Sequence, residues 1–174
     1  AYPTVPMEHA DAAPLSVLGG FLRNGFLHTA IREKGGAYGG GASQDSTIAA
    51  FRFFSYRDPR LADTLADFDR ALAWLATERH EPQRVEEAIL GVIGGIDKPG
   101  SPAGEAKQTF HAELHGRDRT RRERFRNRVL QVGLADLQRV AATYLRPERA
   151  STAVITAPDR AEQLAALNLN PISL

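Results

Sequence analysis

The sequence predicts an α+β domain in which a small antiparallel sheet is covered on one face by helices. Two observations lead there. Runs rich in β-branched and aromatic residues stand toward both ends of the chain, at Thr47 to Arg57 and Ser151 to Thr156, and suit strands. Between them lie segments whose apolar residues recur three and four positions apart, which is the spacing of helices with one buried side. The size agrees: 174 residues, 43% hydrophobic and 25% charged, fit one globular domain with an ordinary core, so residues 1–174 are read as a single unit.

The elements follow in order. Ala1 to Pro6 reads as extended. Asp11 can cap a helix carrying Leu15, Val17, Leu18, Phe21 and Leu22, which is expected to end near Asn24-Gly25. A shorter helical stretch from Phe26 to Lys34 runs into Gly35-Gly36, where glycine can adopt the left-handed conformation that closes a helix. Ala37 to Ser43 and Thr47 to Arg57 then form a strand pair turning around Gln44-Asp45-Ser46. In the second strand Phe51 and Phe53 share one face, while Arg52, Phe54 and Tyr56 share the other.

Asp58-Pro59 reads as a cap followed by a first-turn proline, and Leu61, Leu65, Phe68, Leu72 and Leu75 form the stripe of the next helix. Pro82 opens another, with Val85, Ile89, Val92 and Ile96 aligned. Its Gly91, Gly94 and Gly95 each weaken it by up to about 1 kcal/mol relative to alanine, so close packing against a neighbour is expected there. Helices are also predicted from Ser101-Pro102, over Asp118 to Val132, over Leu134 to Leu145, and over Arg160 to Leu167.

The net charge of +1 supplies no overall field for nucleic acid or a membrane surface. The absence of cysteine excludes disulfides, thiolate metal sites and cysteine nucleophiles, and is compatible with a reducing cytosol. No apolar run approaches the ~20 residues of a membrane span. Beginning at Ala1 inside an extended segment, the sequence is expected to be a piece of a longer polypeptide.

The densest chemistry lies in Ile31-Arg32-Glu33-Lys34-Gly35-Gly36-Ala37-Tyr38 and the three glycines that follow. Gly35 and Gly36 leave room for a ligand to approach the backbone. Arg32 offers a planar fork of donors suited to peptide carbonyls or a terminal carboxylate, and the Tyr38 hydroxyl can donate to a carbonyl or an oxyanion. An equally ordinary account makes Arg32 a solvated cation at the helix C-terminus and Tyr38 half-buried packing.

This stretch, followed by Phe53-Phe54-Ser55-Tyr56-Arg57-Asp58-Pro59 and by Ile96 to Gly104, resembles the C-terminal region of the pitrilysin/insulinase family of zinc metallopeptidases, in its presequence-protease branch. The resemblance implies a domain that holds peptide inside a chamber, with Arg32 and Tyr38, six residues apart, touching the substrate and Tyr38 able to support the transition state. It further implies zinc bound outside these residues, other domains of the same polypeptide and an oligopeptide as partners, and no catalytic or metal-binding residue of its own. The alternative is a scaffold domain of the same fold.

Two other groups compete for attention. His111-Ala112-Glu113-Leu114-His115 departs from both zincin patterns, because its glutamate stands in the middle. Arg117, Arg119, Arg121, Arg122, Arg124, Arg126 and Arg128 form a basic run with one aromatic, Phe125, and are read as a solvated helix face in preference to an interdomain contact or a nucleic-acid site.

Overall fold

The computed structural model describes every residue except His115, Arg117, Asp118, Pro171, Ser173 and Leu174. It is mostly helical, with one three-stranded antiparallel sheet in the order β1 (Tyr2–Pro3), β3 (Ala50–Tyr56), β2 (Gly39–Asp45). The β2–β3 hairpin pairs Gly39 with Tyr56 and Asp45 with Ala50, while β1 pairs Tyr2 with Phe51. Phe51 is buried and Phe53 partly so, whereas Arg52, Phe54 and Tyr56 face solvent, as the alternation predicts.

Helix α1 (Ala12–Leu22) forms the centre of the molecule. The sequence suggests one buried side, but nine of its residues are buried, because the sheet and several helices surround it. It does not stop at Asn24-Gly25. It continues directly into a π-helix (Arg23–Lys34), whose wide turns carry the chain to Gly35. Gly25 serves packing here: a Cβ on it would lie 2.5 Å from the Trp74 indole. That tertiary contact overrides local turn chemistry.

Gly19 lets α1 rest on β2, since a Cβ there would stand 2.9 Å from Ser43 Cα and 3.0 Å from the Ala42 carbonyl oxygen. Helix α3 (Pro82–Asp97) shows the opposite case. Gly91, Gly94 and Gly95 face open space, so the close packing expected for them is absent. Gly91→Ala is therefore expected to stabilise by up to about 1 kcal/mol through helix propensity. Gly19→Ala is expected to destabilise by about 1–2 kcal/mol despite the same propensity gain, because overpacking against backbone outweighs it. Urea midpoints of the pair check this, and equal signs would show that the approach of α1 to β2 is not tight.

Asp11 does not cap α1 with its side chain. It binds α6 (Leu134–Tyr144) instead: Tyr144 donates its hydroxyl proton at 2.7 Å and Arg139 pairs at 2.8 Å. Burial alone would raise the Asp11 pKa, but hydrogen bonds from Tyr144 and Arg139, with the charges of Arg139 and His9, hold it below the ordinary carboxylate value. A depressed folded pKa means that the tie contributes fully above the unfolded value of about 3.9 and is lost as pH falls through the folded one. The stability deficit of Asp11→Asn is expected to be constant near neutrality and to shrink below about pH 4, as measured by thermal midpoints against pH.

Helix α2 (Ala62–Thr77) begins later than Asp58-Pro59 suggests. Asp58 accepts from the Arg60 amide at 2.9 Å and the Thr64 hydroxyl at 2.7 Å, so its capping role moves to the turn before the helix. Helix α2 packs chiefly on the π-helix and meets the sheet at Phe68, which stacks on Phe53 with centroids 5.2 Å apart. Helix α4 (Pro102–Leu114) has no buried residue, and α5 (Arg119–Leu130) buries Phe125 and Val129. The arginines of α5 are only partly the solvated face read from sequence. Arg128 donates to the carbonyls of Met7, Glu8 and His9, Arg121 pairs with Glu8, Arg122 reaches the Ile96 carbonyl, and Arg126 pairs with Asp97. They fasten α5 to the chain entry and to the end of α3. Arg117 lies outside the described residues.

The strand predicted at Ser151 to Thr156 is not formed. Ser151 exchanges two backbone hydrogen bonds with Ala1, each of 2.8 Å, and among the described residues the rest of the segment has no partner strand. Helix α7 (Ala161–Ala166) follows. Among the described residues no helix is long and apolar enough to cross a membrane.

Candidate functional site

The π-helix ends by a sharp reversal. Gly36, at φ +79°, takes the left-handed conformation, so its amide can donate to the Arg32 carbonyl and that of Ala37 to the Ile31 carbonyl, both at 3.1 Å. The chain then enters the hairpin, with the Tyr38 amide donating to the Arg57 carbonyl at 3.2 Å. Arg32 and Tyr38 thus stand on the two sides of one turn, both exposed.

The turn is braced from below. Arg60 occupies the space that a Gly35 side chain would need, its Nη2 lying 2.1 Å from where a Cβ would be. From there it donates to the Ala30 carbonyl at 3.3 Å and pairs with the buried Asp67 at 3.0 Å. Asp67 also pairs with Arg70 at 2.7 Å. The room at Gly35 is therefore filled by the protein itself. The same holds at Gly39, whose missing Cβ makes way for the Tyr56 ring at 2.5 Å.

The Tyr38 ring is held while its hydroxyl is not. Tyr56 packs beside it with centroids 5.5 Å apart, and the Arg57 guanidinium lies over its face at 5.4 Å. Arg57 is used in this stacking. Tyr38 remains 62% exposed, and among the described residues neither its hydroxyl nor the Arg32 guanidinium has a side-chain hydrogen-bond partner. A cleft of about 470 Å³ runs between β3, α2 and residues 151–156. Arg32 and Tyr38 do not line it, but Tyr56 and Arg57 do.

Sequence reasoning missed Tyr56, Arg57, Arg60 and Asp67 as parts of this site. One signal was present, an aspartate and an arginine seven apart beside an apolar stripe, which places both on one side of the chain's path into α2.

Among the described residues no three His, Asp or Glu side chains gather as a metal site. His111 sits on exposed α4 with its ring 5.8 Å from Phe110, and His115 lies outside the described residues. His9 and His28 lie beside Asp11 and Glu33, and the buried His80 bonds the Leu75 carbonyl at 3.2 Å.

A family profile described as the PreP C-terminal domain matches residues 8–157. The chain belongs to that family. The mitochondrial presequence protease of Yarrowia lipolytica is 41% identical over 145 residues, covering 83% of this chain and 14% of the relative. That of Xenopus laevis is 39% identical over 142 residues, covering 82% and 13%. This chain therefore spans about one-seventh of the length of such relatives. Pitrilysin shares the fold of the PreP C-terminal domain, with a TM-score of 0.61 at 17% identity over 83% of this chain and 16% of pitrilysin. So does a Bordetella parapertussis structure described as the inactive peptidase domain of a zinc protease, with a TM-score of 0.71 at 19% identity over 86% of each chain.

Proposed function

We propose that this domain grips the main chain of an unstructured peptide for a zinc metallopeptidase whose metal is held by another domain of the same polypeptide. The observation that carries the reading is the turn itself: two exposed donors with no hydrogen-bond partner among the described residues, Arg32 and the Tyr38 hydroxyl, on a backbone fixed by Gly36 and braced by Arg60 and Asp67. Family membership supports it, since relatives similar to this chain over most of its length are named presequence proteases.

In this reading Arg32 offers its planar fork to peptide carbonyls or to a C-terminal carboxylate. Tyr38 donates to the carbonyl near the point of cleavage, and the same proton can stabilise the oxyanion of the tetrahedral intermediate, a contribution of at most about 3–4 kcal/mol for one donor. Stacking by Arg57 and Tyr56 limits the directions the hydroxyl can take, which lowers the entropy lost on binding. Zinc is expected outside these residues, and what this chain supplies is grip and hydrogen bonding. Steady-state kinetics of Tyr38→Phe and Arg32→Lys in the full-length protein test the proposal.

A further inference from the structure

The cleft has the outline of a missing strand. One wall is the free edge of β3, whose ladder with β1 stops at the pair Tyr2–Phe51. The other wall is the extended segment of residues 151–156, hydrogen-bonded by its backbone to the chain entry, among the described residues, through the double bond between Ser151 and Ala1. Both lie along the cleft, beside Leu65 and Phe68 of α2.

The two walls share one register. In an antiparallel ladder successive residues of a central strand bond alternately to left and right. Thr4 donates to the Ala49 carbonyl at 2.7 Å and Tyr2 pairs with Phe51 on the β3 side, while Ala1 exchanges both bonds with Ser151 on the other. Continued backwards, the same alternation sets the first and third residues before Ala1 opposite Phe53 and Ser55, and the second and fourth opposite Ala153 and Ile155. The first and third would share the inward face of the buried Tyr2 and lie over Leu65 and Phe68. The wall is also underdressed for water: Ile155 is 95% exposed, and Val154 and Thr156 beside it are β-branched.

We infer that the cleft is a strand-acceptor site, and that its occupant is the polypeptide leading into Ala1 wherever this domain sits in a longer chain, with apolar residues at every second position. Filling it turns residues 151–156 into a fourth strand and completes a sheet in the order 151–156, β1, β3, β2. The register favours a segment joined in cis over a separate peptide, because only a continuous chain carries the alternation through Ala1 without a break. Relatives several times longer than this chain show that such a context occurs in the family.

The test compares amide hydrogen exchange in the 174-residue chain, in a version with Val-Thr-Val-Thr-Val placed before Ala1, and in one with Gly-Pro-Gly-Pro-Gly there. The Val/Thr lead is expected to slow the amides of Phe53, Ser55, Ala153 and Ile155 on the order of 100-fold, with no such change for the Gly/Pro lead, which lacks the alternating donors and side chains. Unchanged exchange with the Val/Thr lead overturns the inference. So does protection of the same amides in the unextended chain that grows with its concentration, which assigns the cleft to a second copy. Equal protection by the free pentapeptide added in trans at equimolar concentration overturns the assignment to a segment in cis.

Discussion

Asp67→Ala is expected to lower the unfolding free energy by about 2–4 kcal/mol, among the largest single-site losses outside the apolar core. The Asp67 side chain is 5% exposed and neutralises Arg60, which is itself mostly buried beneath the turn at Gly35. Removing the carboxylate leaves the cation with only the Ala30 carbonyl at 3.3 Å and the more distant Asp58 carboxylate at 4.0 Å. Breaking a buried pair from one side costs more than the pair contributes, because the remaining charge stays desolvated. The double variant Arg60→Met, Asp67→Leu is therefore expected to recover most of the loss, whereas Asp67→Asn, which still accepts a hydrogen bond, falls between. Denaturant titration checks all three, and a loss under about 1 kcal/mol for Asp67→Ala would mean that solvent screens the pair as at an open surface.

In the full-length protein Tyr38→Phe is expected, on the proposed reading, to reduce kcat by about 10- to 100-fold with little change in KM, since that reading uses the hydroxyl mainly where negative charge develops. The stability of the fold is expected to stay unaltered, because that hydroxyl has no hydrogen-bond partner among the described residues. Arg32→Lys keeps the charge and loses the fork, so its effect is expected chiefly in KM, as a rise of about 10-fold. The two variants separate grip from transition-state support. Catalytic efficiency equal to the parent's in both, at equal stability, would return Arg32 and Tyr38 to the status of a solvated helix-end cation and a packed ring.

Asp67 and Tyr38 mark different limits of what sequence conveys. Arg32 and Tyr38 were singled out because their neighbours form a recognisable stretch, and Gly36 was legible because a left-handed helix closure favours glycine. Gly35 was read as room for a ligand and turned out to be room for Arg60. A glycine states that something comes close, and only packing states what.

What the sequence by itself determined are the features written in local periodicity. These are α2 and α3 with their apolar stripes, the β2–β3 hairpin with Phe51 and Phe53 inward, and the helices α5 and α6 between their turn residues. Tertiary structure decided the features that depend on partners distant in sequence. Asp11 leaves its cap for Arg139 and Tyr144, Arg128 reaches back to Met7, and α1 is buried on all sides. Residues 151–156 show the reason most directly. β-branched composition makes a segment fit for a strand, but a strand exists only where another backbone satisfies its amides and carbonyls, and among the described residues that neighbour is present along this segment at Ser151 alone.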